Sequence, residues 1–371
     1  MHTDARPRPK SSNIPYMECL DQLRAVAVLM VFFAHCLHNF SRGMDPSIGD
    51  WLSFKNPVLA VIAEGHSGVA LFMVLSGFLF AYGAHQKEVV FSTFMRNRVL
   101  RIFPMYVLML FLGAYGQKET FSFLGFLSSL FMFSNAPGAL NGGMFTILLW
   151  TISTEFTFYL IFPFLNKMYN VDGKRYFIRL LILALVLRAL CVALGASPRD
   201  FSYFTIFGRI DQFIFGMLAA HLVLEGKVDW GKRAVSLVVS VVAIFLTLYL
   251  FNRSGGWISN SRWKILWPTW EGIIYAGLVI SYLLTRSDKP STLLGRSFTF
   301  VGAISFSVYL LHQPVIAVAQ KAGIRFVGVL GTFSDALLTG VLVFFPVLGL
   351  SWLTYTLIER PFMDMRRKYH S

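Results

Sequence analysis

The sequence predicts an all-α membrane protein with about ten transmembrane helices and both termini in the cytoplasm. Of its 371 residues, 56% are hydrophobic and only 14% are charged, whereas a soluble domain carries roughly 25% charged residues. Apolar runs long enough to cross a bilayer recur along the whole chain. The net charge of +14 fits the excess of Lys and Arg that membrane proteins carry in cytoplasmic loops. We therefore expect the lipid bilayer, and no nucleic acid, as the partner of this chain.

The apolar runs are separated by polar loops. A transmembrane helix needs about 20 predominantly apolar residues. The predicted spans are 20–40, 66–84, 99–115, 145–165, 176–195, 207–224, 233–251, 268–285, 298–319 and 335–357. The run 121–133 is shorter, and Asn135, Pro137 and Gly138 follow it. We predict that this run is a re-entrant or interfacial segment rather than a span.

Lys and Arg are distributed unequally between the two sets of alternating loops. When Arg24, Arg101, Arg188 and Arg209 are left aside as residues within or at the edge of the membrane, one set holds 20 and the other 9. The positive-inside rule therefore places both termini in the cytoplasm. An eleventh span at 121–133 would move a basic loop to the outer side, so the count argues against it.

No internal repeat and no soluble linker divides the chain, so we expect one membrane domain over residues 1–371. A polar tail, 1–19, and a basic tail, 359–371, flank the spans on the cytoplasmic side. Cys19, Cys36 and Cys191 show no CxxC spacing, and cysteines in apolar runs behave as small hydrophobic residues. We predict neither a disulfide framework nor a metal site.

The first span carries Asp21, Arg24 and His35 in an otherwise apolar helix. Eleven residues at 100° each place Arg24 and His35 about 20° apart around the helix axis and roughly 16 Å apart along it. Ionisable groups at bilayer depth are expensive and usually face a bundle interior or a water-filled cavity. This polar stripe is a candidate site. The alternative is a charge at the helix mouth and a histidine satisfied by core contacts.

Arg98 and Arg101 share one helix face at the cytoplasmic end of the third span, because they are three residues apart. Guanidinium groups match the geometry of phosphate, so this pair is a candidate site for an anionic nucleotide donor. The alternative is the basic character that cytoplasmic helix ends commonly have.

Three further residues carry chemistry at membrane depth. Glu155 lies near the middle of the fourth span, where a carboxylate needs a partner or a proton. Tyr309 and His312 lie one turn apart in the ninth span, so that both can line one cavity. A histidine with a pKa near neutrality can remove a proton from an attacking hydroxyl, and a carboxylate such as Glu155 can orient that imidazole.

The outer half of the predicted bundle holds the candidates for an acceptor pocket. They are Trp150, Ser153, Arg209, Asp211, Tyr309 and His312. Each of the first four also has a structural interpretation. Arg209 and Asp211 can form an interfacial ion pair, Trp150 can belong to the aromatic belt, and Ser153 can hydrogen-bond between helices.

Six short motifs follow one another along the chain. They are Leu20-Asp21-Gln22-Leu23-Arg24-Ala25 with His35; Gly68-Val69, Leu71-Phe72 and Leu75-Ser76-Gly77-Phe78-Leu79; Arg98 with Arg101-Ile102, Pro104 and Tyr106; Trp150-Thr151-Ile152-Ser153-Thr154-Glu155; Ile304-Ser305-Phe306-Ser307 with Tyr309-Leu310, His312 and Pro314; and Glu359-Arg360-Pro361. In this order they resemble the acyltransferase 3 family of integral membrane O-acyltransferases. Gln22 replaces the usual Gly, Met73 a usual Phe, and Phe306 a usual Tyr, which loses a hydroxyl. None of these changes removes a proposed catalytic group.

The resemblance implies an enzyme of the bacterial inner membrane that transfers an acyl group from cytoplasmic acyl-CoA to a hydroxyl of a cell-envelope or exported saccharide. Acetyl-CoA is the family's commonest co-substrate, and no permanently bound cofactor is implied. By the same resemblance, His35 is the candidate base and Glu155 belongs to its pocket. Arg24, Arg98 and Arg101 are the candidates for binding the donor.

Two other classes of function stay open at this point. Intramembrane His, Glu and Arg serve a small-anion or proton-coupled transporter equally well, although the chain lacks the paired Gly/Pro-broken helices typical of inverted repeats. A non-catalytic scaffold or glycan exporter explains the spans. It leaves Glu155 and His35 at membrane depth unexplained.

Overall fold

The computed structural model describes residues 15–45, 52–228, 233–286, 292–326 and 331–370, and most of these residues are helical. The α-helices are α1 (Glu18–Met44), α2 (Pro57–Ala63), α3 (Gly68–Ala84), α4 (Phe91–Gly116), α5 (Phe123–Leu130), α6 (Leu149–Asp172), α7 (Lys174–Ala193), α8 (Pro198–Phe204), α9 (Ile206–Leu224), α10 (Arg233–Arg253), α11 (Trp267–Arg286), α12 (Leu293–Ala303), α13 (Ser305–Lys321), α14 (Thr332–Thr354) and α15 (Arg360–Asp364). Residues 1–14 of the predicted N-terminal tail lie outside the described ranges. The prediction of an all-α, multi-pass protein is confirmed.

Every one of the ten predicted spans coincides with helix. In the described part of the chain, eight helices are long and apolar enough to cross a membrane, or nine when the bent pair α12 and α13 counts as one span. Of the predicted spans, only 268–285 has a helix, α11, that is not in this count. Glu271, in the second turn of α11, lowers the mean hydropathy of that helix. Each predicted span thus corresponds to helix in the described residues, although only eight or nine spans are both long and apolar enough to be counted as membrane-crossing. The orientation of the termini stays a prediction.

The predicted ninth span, 298–319, is not one continuous helix. It breaks at Ile304, where α12 and α13 meet at an angle of 74°. On α12, Gly302 lies directly against the backbone of Asp21 on α1, so that a Cβ at residue 302 would overlap the Asp21 carbonyl oxygen. This close approach fixes α12 across the start of α1. The chain must then turn before α13 can follow the bundle.

The middle of the bundle is formed by α1 and by the pair α3 and α9. Helix α1 packs against α3, α12, α13 and α14, and its Val28 and Phe32 are fully buried. Helices α3 and α9 cross in close contact because Gly216 on α9 lies against the carbonyl oxygen of Val74. Small residues at such crossings allow the dispersion contacts that hold membrane helices together.

The predicted re-entrant or interfacial segment contains α5, which has eight residues and is far too short to span a bilayer. The chain folds back after it onto α4 and α6. The hydroxyl of Tyr106 donates to the carbonyl oxygen of Ser129 at 2.6 Å, and the backbone N–H of Ser134 donates to Oγ of Ser153 at 3.0 Å. These bonds attach the segment to the neighbouring helices.

The C-terminal segment after α15 is packed against the start of α4. A π-helical turn, Tyr355–Glu359, joins α14 to α15. Beyond it, the backbone N–H of Val90 donates to the carbonyl oxygen of Tyr369 at 2.8 Å. Asn97 donates through Nδ2 to the carbonyl oxygen of Arg367 at 2.6 Å and accepts from its N–H at 3.0 Å. The basic tail is thus attached to the helix that carries Arg98 and Arg101.

Candidate active site

A cavity that is partly open to its surroundings lies between α1, α3, α4, α6 and α13. The polar side chains that line it are Arg24, Ser76, Arg98, Arg101, Thr151, Glu155, Tyr159, Ser305 and Tyr309. Four of the six sequence motifs with family resemblance therefore contribute side chains to one cavity, and a fifth, the glycine-rich motif of α3, contributes Ser76.

The three arginines predicted to bind the donor are gathered at this cavity. Arg24 Nη1 lies 2.5 Å from Oδ1 of Asp21, one turn earlier on α1. Arg98 is only 9% exposed, and its guanidinium lies over the rings of Phe80 and Phe94 at 4.7 and 5.3 Å from their centroids. Aromatic faces hold a guanidinium in place without neutralising its charge. Nε of Arg98 has no hydrogen-bond partner, so the group retains capacity for an anion.

Glu155 faces the same cavity from α6. Its Oε1 accepts a hydrogen bond of 2.6 Å from the hydroxyl of Ser76 on α3. Thr151 and Tyr159 lie one turn before and one turn after it, and both also line the cavity. Among the residues that the structure describes, no cation lies within ion-pair distance of Glu155. A carboxylate that is half-buried and not paired can interact with a substrate.

His35 and His312 form a hydrogen-bonded pair beside this cavity. Nδ1 of His35 lies 2.8 Å from Nε2 of His312, and the two rings are stacked with centroids 5.1 Å apart. Neither imidazole lines the cavity. The connection between the pair and the cavity is Tyr309, whose ring contacts that of His312 at a centroid distance of 5.9 Å.

The hydrogen bonds of this pair assign the neutral tautomers. Nδ1 of His312 lies 3.2 Å from the carbonyl oxygen of Val308, and a carbonyl oxygen only accepts, so this nitrogen carries the proton. Nε2 of neutral His312 is then an acceptor, and Nδ1–H of His35 must donate to it. The remaining nitrogen of His35, Nε2, therefore holds a lone pair. No hydrogen bond to Nε2 occurs within the described ranges, and the ring is only partly buried.

The other candidates for the acceptor pocket lie apart from the cavity. Trp150 packs its ring against Tyr203 and Phe204, each at a centroid distance of 4.8 Å. Ser153 accepts the hydrogen bond from the backbone of Ser134 described above. Of the six residues predicted to form the acceptor pocket, Tyr309 lines this cavity and the other five do not. Their role in binding an acceptor stays a prediction.

Arg209 and Asp211 do not pair with each other, because two residues along a helix point them in different directions. Arg209 Nη1 lies 3.3 Å from Oε2 of Glu271. Asp211 is bound by Arg188, with Nη2 to Oδ2 at 2.5 Å. All four side chains are 1% exposed or less. The pair Arg209–Glu271 joins α9 to α11, and the pair Arg188–Asp211 joins α9 to α7. Both pairs hold helices together.

Several cavity residues were not predicted from the sequence. Tyr159 lies four residues after Glu155, so helical spacing alone would have placed it on the same face. Ser76 lies in the glycine-containing motif of α3, next to Gly77, and nothing in that motif singles out its hydroxyl. Outside the cavity, the pair between Arg188 and Asp211 could not be predicted either, because 23 residues separate the two side chains. No sequence signal links Arg188 to that partner.

The acyltransferase family model, described as an acyltransferase domain, matches residues 17–356. The exopolysaccharide production protein ExoZ of Rhizobium meliloti is 26% identical over 320 residues, covering 82% of this chain and 91% of that protein. BcsY of Komagataeibacter xylinus, provisionally named a membrane-bound transacylase, is 25% identical over 378 residues, covering 94% and 83%.

YrhL of Bacillus subtilis, provisionally named a peptidoglycan O-acetyltransferase, is 23% identical over 356 residues, covering 84% of this chain and 50% of that protein. No solved structure gives a significant match. The match of the family model extends from the start of α1 into the π-helical turn after α14, and it includes every residue that lines the cavity. The chain is thus a multi-pass integral membrane protein that belongs to the acyltransferase 3 family.

Proposed function

We propose that this protein is an O-acyltransferase of the bacterial inner membrane that transfers an acyl group, acetyl in the first instance, from cytoplasmic acyl-CoA to a hydroxyl of a cell-envelope or exported saccharide. Family membership supports acyl transfer. The printed names of two relatives, an exopolysaccharide production protein and a peptidoglycan O-acetyltransferase, support a glycan as the acceptor.

The observation that carries the proposal is the meeting of Arg24, Arg98 and Arg101 with Glu155 in one cavity. The diphosphate and phosphate groups of coenzyme A are anionic, and guanidinium groups bind them through charge-assisted hydrogen bonds. Helix α1 connects the arginines with His35, which lies roughly 16 Å further along its axis than Arg24. The long pantetheine arm of the donor suits this separation between phosphate site and base.

In this proposal, His35 is the general base. Its Nε2 lone pair takes the proton of the acceptor hydroxyl while that oxygen attacks the thioester carbonyl carbon. The carbon–sulfur bond then breaks, the thiolate of coenzyme A leaves, and the proton on His35 passes to it. The products are an ester and free coenzyme A. His312 positions the base, because its Nε2 accepts from Nδ1–H of His35 and so keeps the reactive nitrogen unprotonated.

Glu155 has a supporting role in the cavity. An ionised carboxylate only accepts hydrogen bonds, and its two oxygens can accept several, so Glu155 has capacity beyond the bonds from Ser76 and Tyr159. Hydroxyl groups of a saccharide and amide N–H groups of the pantetheine arm both provide donors. We propose that Glu155 orients one of these groups toward the attacking position.

Inverted membrane vesicles containing the protein test this function. They receive acetyl-CoA labelled in the acetyl group together with glycans from the host envelope, and vesicles without the protein serve as the control. The proposal predicts label on a sugar hydroxyl as an ester that mild alkali releases. Label that enters the vesicle lumen without becoming covalently attached would contradict it and favour a transporter.

A further inference from the structure

The C-terminal segment brings a fourth arginine to the arginine cluster. Arg366 follows α15, and its Nε donates to the carbonyl oxygen of Met363 at 2.8 Å. The same Met363 accepts through its sulfur from Nη1 of Arg101 at 3.3 Å. Two guanidinium groups that are far apart in sequence thus contact one residue, Met363. Arg366 is therefore next to a side chain that lines the cavity.

The position of Arg366 is fixed by contacts that do not involve its charge. Asn97 on α4 makes two hydrogen bonds with the backbone of Arg367. The ring of Tyr369 packs edge-on against Phe94, one turn before Arg98, with centroids 5.2 Å apart. Both contacts lie on the helix that carries Arg98 and Arg101. These contacts hold the segment 363–370 against α4.

Arg98, Arg101 and Arg366 form no direct ion pair with a carboxylate among the described residues, although Asp364 lies near enough to Arg366 to favour its charged form. Burial, together with the nearby Arg101 and Arg98, lowers the pKa of Arg366 below its usual value. Like charges held together by backbone contacts are costly. A bound anion would relieve this cost.

We propose that Arg366, held by the C-terminal segment, completes the phosphate-binding site of the acyl donor beside Arg98 and Arg101. This inference rests on the proposed function. The ligand chemistry is a phosphate group, and the occupant to which we commit is the nucleotide end of acyl-CoA. Arg366 lies beside the cavity that we assign to this donor. An anionic lipid headgroup has the same chemistry, and the experiment below separates the two sources.

The test measures KM and kcat of Arg366→Gln with acetyl-CoA in nanodiscs. The expected result is a rise in KM of about 10- to 100-fold with kcat nearly unchanged, the loss typical of one charge-assisted hydrogen bond. Arg366→Lys, which keeps the charge, should recover part of the loss. Arg367→Gln is the matched control, because its exposed side chain is adjacent in sequence and only its backbone contacts Asn97. It should behave as the wild type.

A second donor identifies the group that Arg366 binds. Acetyl-pantetheine carries the thioester but none of the phosphates, so Arg366→Gln should leave kcat/KM with this donor unchanged. An equal loss with both donors would overturn the inference. So would a loss that appears only in nanodiscs containing phosphatidylglycerol, since that result assigns Arg366 to a lipid headgroup.

Failure of this inference can be told apart from failure of the proposed function. If the wild type shows no transfer that depends on acetyl-CoA, the proposed function fails. If the wild type transfers acetyl groups and Arg366→Gln has the same KM for acetyl-CoA, only the role of Arg366 is overturned.

Discussion

Nδ1 of His35 lies 2.8 Å from Nε2 of His312, although 277 residues separate the two histidines in sequence. The contact joins α1 to α13 near the middle of the bundle. Because Nδ1 of His312 is committed to the carbonyl oxygen of Val308, the hydrogen bonds run in one direction. His35 donates to His312, and His312 donates to Val308. Nε2 of His35 therefore keeps its lone pair.

Replacing His312 by Leu should therefore lower kcat without changing the KM for the donor. The Nδ1–H of His35 would lose its acceptor, and an unsatisfied donor costs about 1–3 kcal/mol, which corresponds to about 10- to 100-fold in rate. His312→Gln should recover part of the activity, since its amide oxygen can accept from Nδ1–H. Steady-state kinetics of the two variants provide the measurement. If His312→Gln were no better than His312→Leu, the positioning role would be excluded.

Arg98→Gln and Arg101→Gln should each raise the KM for acetyl-CoA. Each lost charge-assisted contact is worth roughly 1.5–3 kcal/mol, or about 10- to 100-fold in KM. The control is Arg179→Gln, because the side chain of Arg179 is 74% exposed and pairs only with Asp172. Direct titration with coenzyme A checks the effect on binding. Unchanged affinity in the double variant of Arg98 and Arg101 would remove both residues from the donor site.

Glu271→Gln should destabilise the protein more than it impairs the reaction. The substitution leaves the buried guanidinium of Arg209 without its carboxylate, and breaking one partner of a buried pair costs about 3–5 kcal/mol of the unfolding free energy. Gel filtration after heating in detergent would show a lower Tm. Glu225→Gln is the control, since Glu225 pairs with Lys227 at the surface. A Glu271→Gln protein of normal Tm without activity would instead place this residue in the active site.

The topology is tested by reporter fusions after Ser371 and within loop 116–144. The excess of basic residues in one set of loops predicts a cytoplasmic C-terminus and an outer loop 116–144. Alkaline phosphatase should therefore be active only in the loop fusion, and a cytoplasmic reporter only in the terminal one. The reverse pattern would invert the topology and place Arg98 and Arg101 on the side without acyl-CoA.

The sequence predicts the helices of this protein well, since long apolar runs have few alternatives in a membrane. It also predicts the facing of Arg98 and Arg101, which follows from their spacing in one helix. The break in 298–319 could not be predicted, because it depends on the contact between Gly302 and Asp21. The pairing of Arg209 with Glu271 could not be predicted either, because the two residues are distant in sequence and their contact depends on how α9 packs against α11.

In the candidate site, too, features within one helix could be predicted and contacts between helices could not. The polar stripe of α1 was visible because Arg24 and His35 lie on one face. The separation of Tyr309, which lines the cavity, from His312, which binds His35, was not visible, because both residues share a face of α13. Only the packing of α1 against α13 distinguishes them.

The central claim is that His35 takes the proton of the acceptor hydroxyl. The measurement that tests it most directly compares wild type and His35→Gln, purified in equal amounts, for coenzyme A binding and for acetyl transfer to glycan. Gln preserves a hydrogen-bonding side chain but has no nitrogen that accepts a proton in this pH range. We expect near-normal binding with turnover reduced by about 10²–10⁴. Acetyl transfer by His35→Gln at the wild-type rate would contradict the account.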